Sequence, residues 1–373
     1  IMKYNLYYFT HNHQSKRVAV FCNYNIPCIL GQKNIERQTI FKQNTNIGSG
    51  YFNSISISAT GKYQTTVQRT QDDNIDPDCK MSSIWISNDN GATWINISEN
   101  ISELTKNWTS IGVSSSGQYQ VASFQPGFIY LSETYGTTWS KTNSPEASWY
   151  GVAISGNGNY LLGASNLYKS DFNSNIYLSS DNGATWTSKL NAKLWLNCSI
   201  SYSGQYMAVI AFSDSNEVNP ETGILPVGSV YISNNYGDTW NQATIKDYFT
   251  NVAISETGKY ILVCANNCNY GPALPRPLYL SSDFGVNWKS IDLPDTWISV
   301  SISQDGKFQS AVSYYQGADA PSTGYVYESS DYGNTWTKNT SVGQDEWTSV
   351  AMSANGQIRS LVSSMCGNLY NSV

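Results

Sequence analysis

Short runs of apolar and polar residues separated by turn residues make up most of this chain. Runs such as SVAMS (349–353) alternate with the two-residue period of a β-strand, and apolar runs such as YILVCA (260–265) have the length of a buried strand. Gly, Asn and Asp residues lie between these runs, and no segment has the period of an amphipathic helix. The pattern therefore predicts an all-β protein of short strands and tight turns.

One motif, Ser-x-Asp-x-Gly-x-x-Trp, recurs at intervals of 45 to 54 residues. Its regular copies are SNDNGATW (87–94), SSDNGATW (179–186), SSDFGVNW (281–288) and SSDYGNTW (329–336). Two degenerate copies, SETYGTTW (132–139) and SNNYGDTW (233–240), have Thr134 and Asn235 in the Asp position. The hydroxyl and amide oxygens of these two residues can still accept a hydrogen bond in the turn.

A second motif lies between copies of the first and consists of an aromatic residue, alternating apolar residues, Ser, and Gly-x-Tyr/Phe. Seven copies run from FNSISISATGKY (52–63) to WTSVAMSANGQI (347–358), and the last has Ile358 in the Tyr/Phe position. Each unit contains four predicted strands, A to D, with strand D beginning at the Trp of the first motif. Seven four-stranded antiparallel units of this length predict a seven-bladed β-propeller.

The last unit ends at LYNSV (369–373), which is its third strand, and so lacks strand D. The segment QTIFKQN (38–44) matches the missing strand, so we expect an N-terminal strand to complete the C-terminal blade. Such closure removes open sheet edges. The predicted domains are the propeller at 38–373 and an N-terminal arm or extra strands at 1–37.

The Ser-x-Asp-x-Gly-x-x-Trp motif resembles the Asp-box, or bacterial neuraminidase repeat, over about residues 38–373. That repeat occurs in sialidases, sortilin-type receptors and photosystem assembly factors, so the resemblance implies a fold and no single activity. The near-identical repeats are also similar to those of large DNA viruses and bacterial surface proteins. The resemblance thus favours a virion or extracellular surface role.

The residues of this motif are expected to be structural. The Asp carboxylates can accept hydrogen bonds from turn N–H groups, Gly permits a positive φ, and the Trp can pack between blades. These residues are Asp89, Gly91, Trp94, Gly136, Trp139, Asp181, Gly183, Trp186, Gly237, Trp240, Asp283, Gly285, Trp288, Asp331, Gly333 and Trp336.

Charge and hydropathy exclude two partner classes. Lys and Arg total 21 and Asp and Glu total 27, a net charge of −6, without a basic cluster of the kind that binds nucleic acid. No apolar run approaches the length of about 20 residues that spans a membrane. We therefore expect neither a nucleic-acid partner nor a membrane span.

The variable loops between strands B and C point to the functional face, because binding residues are commonly carried by loops on a rigid scaffold. These loops include 71–82, 213–229, 265–277 and 314–324. Tyr270, Tyr314 and Tyr315 are candidate ligand-binding residues, and ordinary loop tyrosines are the alternative. Asp72, Asp73, Asp76 and Asp78 can supply oxygen ligands to Ca²⁺, and a solvated acidic loop is the alternative. The sequence predicts no other cofactor.

A catalytic role is the alternative to binding. Sialidases, as the resemblance implies, use three arginines, a Tyr–Glu pair and an Asp acid. This chain has only Arg17, Arg37, Arg69, Arg276 and Arg359, and it lacks their Arg-Ile-Pro motif. We therefore expect a non-catalytic interaction module that binds protein or glycan through the B–C/D–A loop face. The alternatives are a sialidase-like glycoside hydrolase and a structural or assembly-factor propeller.

Overall fold

The computed structural model describes residues 38–47, 50–69, 82–98, 107–166, 174–191, 193–215, 226–266, 274–313, 323–364 and 367–372, together with three short strands nearer the N-terminus. The chain divides into two compact units, Ile1–Gln38 and Thr39–Val373. The first unit contains an antiparallel sheet of β1 (Tyr7–Tyr8), β2 (Val18–Phe21) and β3 (Pro27–Cys28).

The second unit is a seven-bladed β-propeller of four-stranded antiparallel sheets, as the repeats predict. Blade 1 contains β5 (Phe52–Ile57), β6 (Gln64–Gln68), β7 (Ser83–Ser87) and β8 (Ile95–Asn96). Blade 2 contains β9 (Trp108–Val113), β10 (Gln120–Phe124), β11 (Ile129–Ser132) and β12 (Ser140–Lys141). Blade 3 contains β13 (Ser148–Ile154), β14 (Leu161–Asn166), β15 (Asn175–Ser179) and β16 (Thr187–Asn191).

The remaining blades repeat this order. Blade 4 contains β17 (Leu194–Ile200), β18 (Met207–Ser213), β19 (Gly228–Ser233) and β20 (Asn241–Asp247). Blade 5 contains β21 (Phe249–Ile254), β22 (Ile261–Ala265), β23 (Leu278–Ser281) and β24 (Lys289–Ile291). Blade 6 contains β25 (Trp297–Ile302), β26 (Gln309–Ser313), β27 (Val326–Ser329) and β28 (Thr337–Lys338). Blade 7 contains β29 (Trp347–Met352), β30 (Arg359–Ser363), β31 (Leu369–Ser372) and β4 (Phe41–Gln43).

The N-terminal strand β4 closes the ring, which confirms the prediction from the incomplete last repeat. It pairs antiparallel with β31, with Phe41 opposite Ser372 and Gln43 opposite Tyr370. The prediction for the start of strand D was wrong by one residue. In blade 1 that strand starts at Ile95, which is the first residue to pair with β7, while the Trp94 indole N–H bonds back to the Gly91 carbonyl at 3.1 Å.

The apolar core consists of seven clusters, one at each interface between neighbouring blades. The aromatic residue of the second motif is fully or almost fully buried in each cluster. These residues are Phe52, Trp108, Trp149, Trp195, Phe249, Trp297 and Trp347. Each Trp of the first motif packs against a cluster that its own blade shares with the preceding blade. Burial of about 150–250 Å² per aromatic side chain makes these interfaces the main stabilising contacts of the ring.

Backbone hydrogen bonds also join the A–B turns into a closed ring. Seven N–H···O=C bonds of 2.8–3.1 Å connect each blade to the next, and the last of them returns from blade 7 to blade 1. They run from Ala59 to Ser115, Ser115 to Gly156, Asn157 to Tyr202, Tyr202 to Glu256, Glu256 to Gln304, Gln304 to Ala354 and Ala354 to Ala59. Among the described residues, no helix is long and apolar enough to cross a lipid bilayer.

Candidate functional site

The antiparallel order of each blade separates the loops into two faces. The A–B and C–D turns, such as 58–63 and 87–94, lie on what we call the turn face. The B–C and D–A connections lie on the opposite loop face, which includes the strand-end residues near 193, 214 and 276. The variable B–C loops predict that the functional site lies on the loop face.

The four regular copies of the Ser-x-Asp-x-Gly-x-x-Trp motif close their C–D turns with the same hydrogen bonds of the Ser and Asp side chains. In blade 3, the Ser179 hydroxyl donates to Asp181 Oδ1 at 2.8 Å and accepts from the Gly183 N–H at 2.9 Å. Thr185 donates to Asp181 twice, through its N–H at 2.8 Å and its hydroxyl at 2.6 Å. The indole of Trp186 donates to the Gly183 carbonyl at 3.2 Å. In this copy the side chains of Ser179, Asp181, Thr185 and Trp186 are thus all bonded within one turn.

These bonds determine the protonation of the motif carboxylates. The hydroxyl and N–H of Thr185 hold the pKa of Asp181 below its ordinary value, and the N–H of Asn287 does the same for Asp283. Burial raises the pKa of Asp89 and of Asp331, but hydrogen bonds from Thr93 and Thr335 outweigh it and leave both pKa values lowered. The four carboxylates are therefore ionised acceptors, unsuited to a general-acid role at neutral pH.

The degenerate copies retain the turn. Asn235 Oδ1 accepts the Thr239 N–H at 3.0 Å, and Thr134 Oγ1 accepts the Thr138 N–H at 3.0 Å. The six motifs lie on six different blades, so the structure does not gather their carboxylates into one site. Their structural role stays a prediction.

The other sequence-predicted site residues lie outside the described part of the chain. These residues are Tyr270, Tyr314, Tyr315, Asp72, Asp73, Asp76 and Asp78. Within the described ranges, no group of three or more His, Cys, Asp or Glu side chains is arranged to hold a metal ion. Ligand binding by the tyrosines and Ca²⁺ binding by the aspartates stay predictions.

On the loop face, two lysines of blade 4 share one carboxylate. Lys193 Nζ lies 3.1 Å from Asp214 Oδ1, and Lys246 Nζ lies 2.5 Å from Asp214 Oδ2. The Ser229 hydroxyl donates to the same Oδ2 atom at 2.5 Å. Lys193 precedes β17, Asp214 follows β18 and Lys246 lies near the end of β20, so three strand ends bring these charges together.

A second ion pair joins blades 4 and 5. Arg276 Nη1 lies 3.2 Å from Asp247 Oδ1, and the Tyr279 hydroxyl donates to Asp247 Oδ2 at 3.0 Å. The Asp247 side chain is only 4% exposed, so it fixes the position of Arg276 from beneath. The guanidinium of Arg276 also lies 5.9 Å from the ring centroid of Tyr248. We call Lys193, Asp214, Lys246, Asp247 and Arg276 the loop-face cluster.

Electrostatics keep the first ion pair charged. Burial lowers the pKa of Lys193, but its hydrogen bond to Asp214 outweighs that effect and leaves the pKa raised. Burial raises the pKa of Asp214, but hydrogen bonds from Lys246, Ser229 and Lys193 leave it lowered. The loop-face cluster thus presents three cations and two carboxylates in a chain whose net charge is −6.

The inner strands of all seven blades enclose a central cavity of about 220 Å³. Among the described residues, those that line it are Ser, Asn, Gly, Ala, Val, Ile, Met and Cys, and none of them is charged. Several of its hydroxyls accept N–H groups of the next blade, as Ser56 does from Val113 at 3.0 Å and Ser110 from Val152 at 3.1 Å. Burial raises the pKa of the Cys198 thiol, which keeps it protonated. The lining therefore supplies no acid–base pair or reactive thiolate.

The arginines with described side chains do not converge. Arg69 and Arg276 lie in B–C connections of blades 1 and 5, on the loop face. Arg359 begins β30, next to an A–B turn, and its guanidinium forms a buried ion pair with Glu328. A sialidase-like trio cannot be assembled from these three residues.

The sequence analysis missed two groups of residues. The loop-face cluster forms only where particular strand ends become neighbours in the fold. In the sequence it is indicated only by charged residues that flank the strands of blade 4. The second group is a set of aromatic pairs on the turn face: Tyr63 with Tyr135, Tyr160 with Tyr236, Tyr206 with Phe284, and Tyr260 with Tyr332. Its indication is an aromatic residue before the Gly in four of the six motifs.

Comparisons with known proteins establish the fold alone. The solved structure of YCF48 bound to D1 peptide is 13% identical, with a TM-score of 0.60, over 90% of this chain and 97% of that chain. The GH74 xyloglucanase from Xanthomonas campestris is 12% identical, with a TM-score of 0.59, over 87% of this chain and 52% of that chain. The RRP9 WD40 repeats are 7% identical, with a TM-score of 0.60, over 90% of this chain and 99% of that chain. No family model and no curated protein sequence matches the chain.

Proposed function

We propose that this chain is a non-catalytic interaction module whose loop face binds an extended protein segment carrying acidic groups. The loop-face cluster carries this proposal. Arg and Tyr are enriched among the residues that dominate protein interfaces, and here Arg276 is held in place by a buried carboxylate beside Tyr248. A group that is positioned before binding loses less conformational entropy when the partner arrives.

The cations of the loop-face cluster favour a partner segment that carries carboxylates. Within the loop-face cluster itself, three cations face two carboxylates, and Asp295 borders it where its carbonyl accepts the Arg276 N–H at 3.0 Å. Lys246 is the most exposed of the three cations, at 39%, and can add a partner carboxylate to its existing contacts. Among similar structures, YCF48 is bound to D1 peptide, which supports peptide binding as a use of this fold.

Glycoside hydrolysis requires two carboxyl groups flanking the scissile bond, and none of the described residues that line the central cavity carries one. We also propose that the six turn motifs are Asp-box repeats. The hydrogen bonds that recur from blade to blade support this assignment.

Selection of peptides from a random displayed library on the immobilised propeller tests the proposal. We expect the enriched peptides to contain Asp or Glu. Calorimetry on one synthesised peptide should show about tenfold weaker binding to Lys246→Ala, or about 1.4 kcal/mol. Lys62→Ala, which removes a lysine from the turn face, is the matched control and should leave the affinity unchanged. Enrichment of no peptide, or equal affinity in Lys246→Ala, would refute loop-face binding.

A further inference from the structure

The aromatic pairs on the turn face form a repeated surface feature. Three of them occur at successive interfaces, from blade 3 to blade 6, with ring centroids 4.9–5.5 Å apart. In each pair, the aromatic residue of an A–B turn stacks against the residue before the Gly in the C–D turn of the next blade. We call these six residues the aromatic arc: Tyr160, Tyr236, Tyr206, Phe284, Tyr260 and Tyr332.

The outer residue of each pair occupies a backbone conformation that disfavours aromatic side chains. Tyr236, Phe284 and Tyr332 have φ values of 59°, 63° and 62°, in the left-handed region. The same turn position holds Asn90 and Asn182 in blades 1 and 3, and Asn is the better tolerated residue there. The turn itself therefore does not require an aromatic ring at this position.

These outer rings remain accessible. Tyr236, Phe284 and Tyr332 are 42%, 40% and 41% exposed although each stacks on an inner ring. The inner ring holds the outer one in a fixed orientation, so a ligand would meet a preorganised platform. Strained positions that present accessible groups are frequent at binding sites.

The surroundings of the aromatic arc disfavour anionic ligands. Ionised carboxylates of Asp283 and Asp331 lie in the same turns and Asp238 is exposed there, so carboxylates outnumber the two neighbouring lysines, Lys259 and Lys307. A polyanion would be repelled by these carboxylates. The negative faces of aromatic rings attract the positively polarised C–H edges of a sugar ring, and the exposed amides of Asn234 and Asn334 can bond its hydroxyls.

We propose that the aromatic arc binds a neutral polysaccharide, with one sugar unit stacked on each aromatic pair. A polymer fits because identical platforms recur at successive blades, so contacts on one chain reinforce each other through a high effective concentration. This site lies on the turn face and is independent of the loop-face cluster.

Native gel electrophoresis in the presence of soluble polysaccharides tests the site. Hydroxyethylcellulose, laminarin and galactomannan are the neutral probes, and polygalacturonate is the acidic one. The full chain should be retarded by at least one neutral polymer and not by polygalacturonate. Retardation by none of the neutral polymers, or by polygalacturonate alone, would overturn the proposal.

Asparagine variants identify the surface responsible. Tyr236→Asn, Phe284→Asn and Tyr332→Asn install the residue that the same turn carries in blades 1 and 3, so the fold should be retained. Each substitution should weaken binding about tenfold, and the triple variant should migrate without retardation. The loop-face variant Lys246→Ala should be retarded like the unmodified chain, which separates this site from the proposed peptide site. A triple variant retarded as strongly as the unmodified chain would contradict the assignment.

Discussion

At the residue scale, a repeated set of polar side chains shapes each turn. The Asp of the motif accepts bonds from the residue four positions later, as in Asp89 to Thr93 at 2.9 Å and Asp283 to Asn287 at 2.8 Å. The recurrence of Asp and Gly at fixed positions was enough to predict that the carboxylates accept hydrogen bonds from turn N–H groups. It could not predict the exposed ring of Tyr332 or Phe284, because their stacking partners lie on another blade.

The turn carboxylates should make stability depend on pH. Their folded pKa values are lowered, so their contribution is present above the unfolded value of about 3.9 and is lost as the pH falls through the folded values. The thermal midpoint should therefore decrease between about pH 5 and pH 2.5.

A variant with Asn at Asp89, Asp181, Asp283 and Asp331 is the control for this pH dependence, because Asn235 already serves in blade 4. Its thermal midpoint, measured by scanning calorimetry, should change less over the same range. Glu256 and Glu346, whose pKa values burial raises, titrate in both proteins, so the difference isolates the turn carboxylates. Equal pH dependence of the two proteins would show that protonation of the turn carboxylates does not change the stability of the fold.

At the scale of elements, the closing strand β4 is the part of the fold that joins distant ends of the chain. The incomplete last repeat predicted this strand, since the motif count left one position empty. A polar network that holds it was not predictable. Arg359 bonds both Glu328 and the Thr39 hydroxyl, and the Asn339 amide donates to the Thr39 carbonyl at 2.8 Å. These residues meet only once blades 6 and 7 are in place.

Removal of β4 should open the ring. A chain that begins at residue 45 lacks the strand that pairs with β31. It also loses the contact of Thr39 with Arg359 and the packing of Phe41 in the cluster that contains Val342. We expect loss of a cooperative thermal transition and association through the exposed edge. A chain that begins at residue 38 keeps the strand and is the matched control, expected to melt cooperatively. Light scattering and calorimetry measure both outcomes, and equal stability of the two truncations would contradict the role of β4.

At the scale of the whole molecule, seven interfaces and a closed ring of turn hydrogen bonds hold a rigid scaffold with two different faces. The repeat count predicted the seven blades and the separation of loops into faces. It did not predict that Lys193, Asp214 and Lys246 meet, because loop lengths vary and the contacts form between strand ends far apart in sequence. The proposed peptide site thus rests on irregular positions, while the regular ones build the ring.

Hydrogen–deuterium exchange of the propeller, with and without a peptide enriched in the library selection, shows whether the loop face binds a protein segment. We expect slower exchange at residues 193–195, 214–215, 246–248 and 274–279 when the peptide is bound, with the A–B turns unchanged. Protection confined to the turn face, in segments such as 202–206 and 256–260, would contradict it.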